Sequence, residues 1–346
     1  MLRHTVSPDQ VDLVSQGRRD YHVKFRHPTI HREVLMPLTV IVGPEAQSGR
    51  GLLAIGGTHG DEYEGPVAIR RVMQEIDTRD VKGRLILLPV LSVCAFEAGV
   101  RDSPADGVNM NRAFPGDPKG TISARTAHFV YASLFPQVHV VQDVHAGGRV
   151  GRFSCFSSFH LWKDEEHRRA QERAARGYGT RFVVIHHNND PGLLTVSAEQ
   201  LGKVCIGGEF GWGRSIMRTG VDHARTGILS AAIDHGLLQE REQYTRAAAV
   251  KEQVLLDASR AEAVSLASCS GHFEPRIELE QYVRCGDLLG YIHDFDRIDS
   301  APEEVRAHMD GHVVFLAWEA CVSKGQLVSE IGAPISWAEA PDHAHH

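Results

Sequence analysis

His59 and Glu62 stand three residues apart in the segment Gly56-Gly57-Thr58-His59-Gly60-Asp61-Glu62, a spacing at which an imidazole nitrogen and a carboxylate oxygen can meet one cation. The segment closes the apolar run Leu52–Ile55, which reads as a buried strand ending in a glycine turn. After it, Val67, Ile69, Val72, Met73 and Ile76 recur near helical spacing, so Tyr63 to Ile76 reads as a helix. A second histidine has matching context: the apolar run Val138–Val141 leads into Asp143-Val144-His145-Ala146-Gly147-Gly148. Catalytic zinc commonly takes two histidines, one glutamate and a water. His59, Glu62 and His145 supply that set for one zinc ion per chain and leave one position open. With 21 histidines in the chain, no single one is informative. The signal is convergence: the candidate ligands fall where strands run out into turns, the end at which open α/β sheets hold their ligands.

Zinc held by three protein ligands lowers the pKa of its water to about 7. An amide attacked by that nucleophile still needs a base to take the water proton and return it to the leaving amine. Glu209 is the candidate, just past the apolar stretch Val204–Ile206 and flanked by Gly207-Gly208 and Gly211, which leave room for substrate. Asp143, two residues before His145, shares its face of a strand. It either accepts the ligand imidazole's other N–H, as carboxylates behind metal ligands do, or contacts another part of the site. Asn111-Arg112 lies in a loop between Asp106-Gly107 and Phe114-Pro115-Gly116, and the arginine's fork of donors suits a carboxylate.

The elements that must position these groups alternate. Leu38–Val42, Leu52–Ile55, Leu85–Val90, Val138–Val141, Phe182–Ile185 and Val204–Ile206 are short runs rich in Val, Ile and Leu. Helical patterns at Glu64–Ile76, Ser123–Leu134, Asp164–Tyr178 and Gly227–Leu238 separate or follow them. This alternation predicts an α/β domain with a largely parallel sheet covered on both faces. At 346 residues the chain exceeds the usual reach of one core, so two domains are expected, 1–240 and 241–346. Leu238–Tyr244 and the Ala-rich Arg246–Ala258 are read as the connection.

From Cys269 onward short strand-like pieces carry an approximate repeat. Gly271-His272-Phe273 recurs as Gly311-His312-Val313, and Val283-Arg284-Cys285-Gly286-Asp287-Leu288-Leu289 as Val322-Ser323-Lys324-Gly325-Gln326-Leu327-Val328. Two copies of a β unit too small to fold alone predict a flattened sandwich of interlocked halves. It resembles the biotinyl/lipoyl-carrier fold, but Ala307-His308-Met309-Asp310 offers no lysine for a prosthetic group. A structural lid or oligomer surface is expected instead.

Charged residues at 23% and hydrophobic ones at 42% describe an ordinary globular protein. A net charge of −7 with no Lys/Arg-rich stretch argues against a nucleic-acid partner. No run of 18 apolar residues exists to span a membrane, and Met1–Pro8 lacks the apolar core of a signal peptide. Six scattered cysteines without a C-x-x-C pair read as reduced thiols. A cytoplasmic protein, present as a homo-oligomer (a dimer), is expected.

Four segments in order, Gly56–Glu62, Asn109-Met110-Asn111-Arg112-Ala113-Phe114-Pro115-Gly116, Asp143-Val144-His145 and Gly208-Glu209-Phe210-Gly211, resemble the motifs of the succinylglutamate desuccinylase/aspartoacylase family. The resemblance spans roughly residues 20 to 335. It implies a zinc-carboxypeptidase-like mixed, largely parallel sheet with helices on both faces, followed by the C-terminal all-β domain. It also implies that Glu209 is the general base, that Asn111 and Arg112 bind the α-carboxylate of the amino-acid product, and that Arg101 polarises the scissile carbonyl. Within the family, Gly60–Pro66 and Asn-Met-Asn-Arg are most similar to deacetylases acting on N-acetyl-2,4-diaminobutyrate in ectoine breakdown. Ala146 departs from the pattern, since relatives often carry a hydroxyl residue there.

The expected function is thus a zinc-dependent deacylase of a small N-α-acyl amino acid. An aspartoacylase- or desuccinylase-type hydrolase, a carboxypeptidase and a non-enzymatic binding protein are the alternatives. An acidic substrate side chain would need a further cation, for which Arg149 and Arg152 are available; an amine would need an acid, for which Glu64, Asp61 and Asp190 are available.

Overall fold

A computed structural model describes residues 4–26, 33–161, 164–187, 190–244 and 252–337. Leu52–Gly56 lies at the middle of the main sheet, parallel to Arg84–Leu88 on one side and to Val140–Val144 on the other. Val204–Glu209 continues in parallel beside Val140–Val144. Beyond it Phe156–His160 turns antiparallel, followed in parallel by Phe182–His186 and Val254–Asp257. At the other edge the long hairpin Gly17–Arg26/Glu33–Val42 packs antiparallel onto Arg84–Leu88. The sheet is mixed and largely parallel, as expected.

The central strands read as continuous apolar runs because both of their faces are buried. Leu52 and Ala54 face a core with Ile69, Val72, Ala174 and Ile228, on the side of the helices Glu64–Glu75, Glu165–Arg176 and Arg218–Asp234. Leu53 and Ile55 face the opposite core with Ile122, Ala127, Leu194 and Ala198, on the side of Ile122–Phe129 and Leu194–Glu199. Alternation of side chains along each strand therefore feeds two helical layers.

Several elements depart from the sequence reading, three of them on strands or helices next to the candidate site residues. Val138–Val141 becomes Val140–Val144, because its ladder with Leu52–Gly56 continues to the Gly56–Val144 pair and so takes in the polar Asp143. Phe156–His160 carries two serines in its middle and gives no apolar run, yet it is buried beside Val204–Glu209. The helix predicted from Gly227 starts at Arg218, through a polar turn that periodicity does not mark.

The repeat near the C-terminus folds as two interlocked halves. Val264–Leu266 pairs with Leu327–Ile335 and Tyr282–Val283 with Gly311–Ala317, while Glu303–Arg306 pairs with Leu288–His293 and Cys321–Val322 with Gly271–Pro275. Each half thus lends strands to the other's sheet. Their apolar faces, Phe273, Leu289 and Ile292 against Val313, Leu316 and Ile331, form one small core. This sandwich is continuous with the main sheet: Leu327–Ile335 pairs with Val254–Asp257, and Gly311–Ala317 with Gly151–Phe153. Arg246–Ala258, read as connection, lies partly outside the described residues, and its described end supplies the strand Val254–Asp257. No described helix is long and apolar enough to cross a membrane.

Candidate active site

Where Leu52–Gly56 ends, Gly57 takes φ +61°, a left-handed turn that a side chain would strain. Three residues on, Gly60 packs against the helix Val93–Ala98 so closely that a Cβ there would lie 2.0 Å from the Ala95 carbonyl carbon. The turn is thereby fixed between strand and helix, and it buries His59 and Glu62 side by side.

Nδ1 of His59 lies 2.7 Å from one Glu62 oxygen, and Nδ1 of His145 lies 2.8 Å from the other. One coordinating atom from each of the three residues falls within 4.8 Å of the other two. The group can hold a metal ion, and its outer contacts fit that use. Nε2 of His145 meets Asp143 at 2.8 Å, Nε2 of His59 meets Asn109 Oδ1 at 3.2 Å, and Thr58 donates to Asp143 at 2.7 Å. Outer partners that engage Nε2 fix the tautomer and turn Nδ1 inward, the arrangement of metal-ligating histidines. Burial opposes ionisation of Glu62, but the neighbouring His59 and His145 outweigh it and hold the carboxyl well below its ordinary range. Burial likewise opposes protonation of His145, which Asp143 and Glu62 overcome, raising its pKa.

Glu209 reaches the cluster through the sheet. His145 and Glu209 form an isolated parallel bridge past the strand ends, with His145 N–H donating to Gly208 and Phe210 N–H to His145. Glu209 Oε2 is buried without a hydrogen-bond partner. Burial first, then the charge of Glu62, pushes the Glu209 carboxyl up to about 8. A carboxyl poised near neutrality, next to a metal-binding group, suits general acid–base work. Arg101 also arrives here, its Nη1 3.3 Å from Glu62.

Asn111 lines a cavity of about 140 Å³ together with His145 and Glu209, and its Oδ1 accepts from Leu194 N–H at 2.9 Å. Arg112 is not on that wall: its Nε meets Asp190 at 2.7 Å, and its side chain is about half exposed. Of the two contacts expected of Asp143, the structure shows the one to the His145 imidazole. The cations and acids considered for the substrate side chain lie elsewhere. Arg149 pairs with Glu319 of the C-terminal sandwich at 2.6 Å, Asp61 accepts from Arg149 N–H, and Glu64 accepts from Met217 N–H. Four contributors escaped the sequence reading. Thr58 and Asn109 flank groups that it did identify; His160 and Glu199, on the cavity wall, come from a strand and a short helix that it did not see.

Comparisons with known proteins agree with this architecture. Residues 48–233 match the succinylglutamate desuccinylase/aspartoacylase catalytic domain. The N-alpha-acetyl-L-2,4-diaminobutyric acid deacetylase of Halomonas elongata is 31% identical over 299 residues, covering 86% of this chain and 85% of the relative. Among solved structures, a succinylglutamate desuccinylase/aspartoacylase from Rhodobacter sphaeroides superposes with a TM-score of 0.84 at 29% identity, over 94% of this chain and 98% of its own. The product-bound ectoine utilization protein EutE (DoeB) from Ruegeria pomeroyi superposes with a TM-score of 0.85 at 30% identity, over the same shares, 94% and 98%. The chain belongs to the succinylglutamate desuccinylase/aspartoacylase family. It is accordingly an enzyme, an amidohydrolase of linear amides.

Proposed function

We propose that the protein is a zinc-dependent deacetylase that hydrolyses N-α-acetyl-2,4-diaminobutyrate to acetate and 2,4-diaminobutyrate in ectoine breakdown. The names of the Halomonas relative and of the Ruegeria structure support the substrate. The observation that carries the chemistry is the convergence of His59, Glu62 and His145 atoms within 4.8 Å, beside the buried, unpartnered Glu209 oxygen.

In this reading His59, Glu62 and His145 hold one zinc ion per chain, which when bound supplies Lewis acidity and a nucleophile at neutral pH. Asp143 and Asn109 orient the two imidazoles. Glu209 takes a proton from the attacking water and returns it to the leaving amine, both halves being open to a carboxyl near neutral pKa. Arg101 offers its guanidinium to the carbonyl oxygen as negative charge develops there. Asn111 and Arg112 receive the α-carboxylate, with Asp190 steadying the arginine until substrate arrives. The enzyme works in the cytoplasm as a dimer of identical chains.

The test is release of the free amino acid from a panel of N-acetyl and N-succinyl amino acids by protein of measured metal content. N-α-acetyl-2,4-diaminobutyrate should be the preferred substrate, and chelation should abolish its turnover. Preference for N-acetylaspartate or N-succinylglutamate would overturn the assignment.

A further inference from the structure

The cavity that opens onto His145 and Glu209 is also lined by His160, Glu199 and Cys205. Its described lining contains three carboxylates, Asp143, Glu199 and Glu209, and neither lysine nor arginine. Two of the carboxylates are committed: Asp143 to His145 and Thr58, and Glu209 to the reaction. Glu199 is not. It is 4% exposed, at the end of the helix Leu194–Glu199, and its two oxygens lie 3.1 and 3.0 Å from Nδ1 of His160.

A carboxylate has about four lone-pair sites, and one imidazole N–H shared between both oxygens fills a fraction of them. His160 is an ion-pair partner for this buried carboxylate, and the lone pairs it leaves open can take further donors. An alkylammonium brings three N–H donors and one compensating charge. A carboxylate side chain would instead meet the Glu199 carboxylate in a low-dielectric space whose described lining offers no arginine or lysine to receive it. We propose that Glu199, held by His160, is the residue that grips the side-chain ammonium of the substrate, so that the enzyme selects N-α-acyl diamino acids over neutral and acidic ones. This deepens the proposed deacetylase reading and rests on it. Ser158, from the same strand as His160, also lines the cavity.

The test compares kcat/KM of metal-replete protein for N-α-acetyl-2,4-diaminobutyrate, N-α-acetyl-2-aminobutyrate and N-acetylaspartate. The intact enzyme should favour the diamino substrate over its neutral counterpart by at least about 10-fold, the usual scale of a buried charge-assisted bond. Glu199→Gln should shrink that ratio by about 10- to 100-fold at unchanged zinc content. An unchanged ratio, with both substrates falling together, assigns His160–Glu199 to scaffolding and overturns the proposal. So does a wild-type preference for the neutral or acidic substrate. Should Glu199→Gln fail to fold, inhibition of the intact enzyme by L-2,4-diaminobutyrate and by L-2-aminobutyrate decides: about 10-fold tighter inhibition by the diamine supports the proposal, equal inhibition refutes it. If metal-replete protein cleaves none of the three, the deacetylase reading itself falls and takes this inference with it.

Discussion

Asp143 holds His145 by Nε2 at 2.8 Å, and the same imidazole presents Nδ1 to Glu62 at 2.8 Å. Asp143 lies in the strand Val140–Val144 and His145 directly follows its end, so one short stretch of chain sets the carboxylate and the imidazole two residues apart. Asp143→Asn keeps the shape and removes the charge behind the imidazole. Metal affinity should fall by about 10- to 100-fold, read by competition with a chromogenic chelator. Unchanged affinity would mean that Asp143 only packs the site.

The ligands themselves should be all-or-none. Purified protein is expected to carry about one zinc ion per chain, and His59→Ala, Glu62→Ala and His145→Ala should each abolish tight binding. Elemental analysis showing full occupancy in the His59→Ala/His145→Ala double variant would place the metal elsewhere.

Glu209→Gln preserves size and removes the proton acceptor. Zinc content and substrate binding should persist while kcat drops by about 10²–10⁴. Near-normal kcat would move the base to another carboxyl.

If Arg112 receives the α-carboxylate, the amide of the same N-acetyl amino acid leaves its guanidinium without that partner. The amide should be the poorer substrate by about 10- to 100-fold in kcat/KM. Because Asp190 already engages Arg112, the penalty should shrink toward the lower end. Equal use of acid and amide would remove Arg112 from the site.

Far from the site, His139 and His235 form a neutral pair with a defined proton arrangement. Gly51 N–H donates to His139 Nδ1, so His139 Nε2–H donates to His235 Nδ1 at 3.1 Å. Burial, then the neighbouring His235, lowers His139 to about 4, and burial lowers His235 as well. Both folded-state values lie below the ordinary 6.5, so the unfolded chain binds more protons between about pH 6.5 and 4. Stability should therefore be full above that window and decline as pH falls through it. His139→Gln should flatten the decline of the thermal midpoint between pH 7 and 5; an identical slope would discount the pair.

The grouping of His59, Glu62 and His145 was legible because strand ends and glycine turns bracket them in sequence, and the contact of Asp143 with His145 because a period of two carries both to the same face. The interlocked sandwich was legible from its repeat. Phe156–His160 was not, since its serines hide burial that only the neighbouring strands confer. With it went His160, and the short helix bearing Glu199 offers too few residues for a period to show. Arg112 illustrates a different limit: its type and loop suggested a carboxylate partner, and the structure supplies one from the protein itself, Asp190.

The pairing of Gly151–Phe153 with Gly311–Ala317, and of Val254–Asp257 with Leu327–Ile335, has a consequence for anyone who would trim this protein. A truncation before the sandwich would strip partners from the short strand that follows His145 and take away Val254–Asp257, uncovering a flank of Phe182–His186. Raw edges of that kind recruit other chains. The shortened enzyme should be recovered as aggregate, and the loop carrying Arg149 would lose Glu319 at its border. What reads along the chain as an appendage is, in three dimensions, the hem of the catalytic sheet.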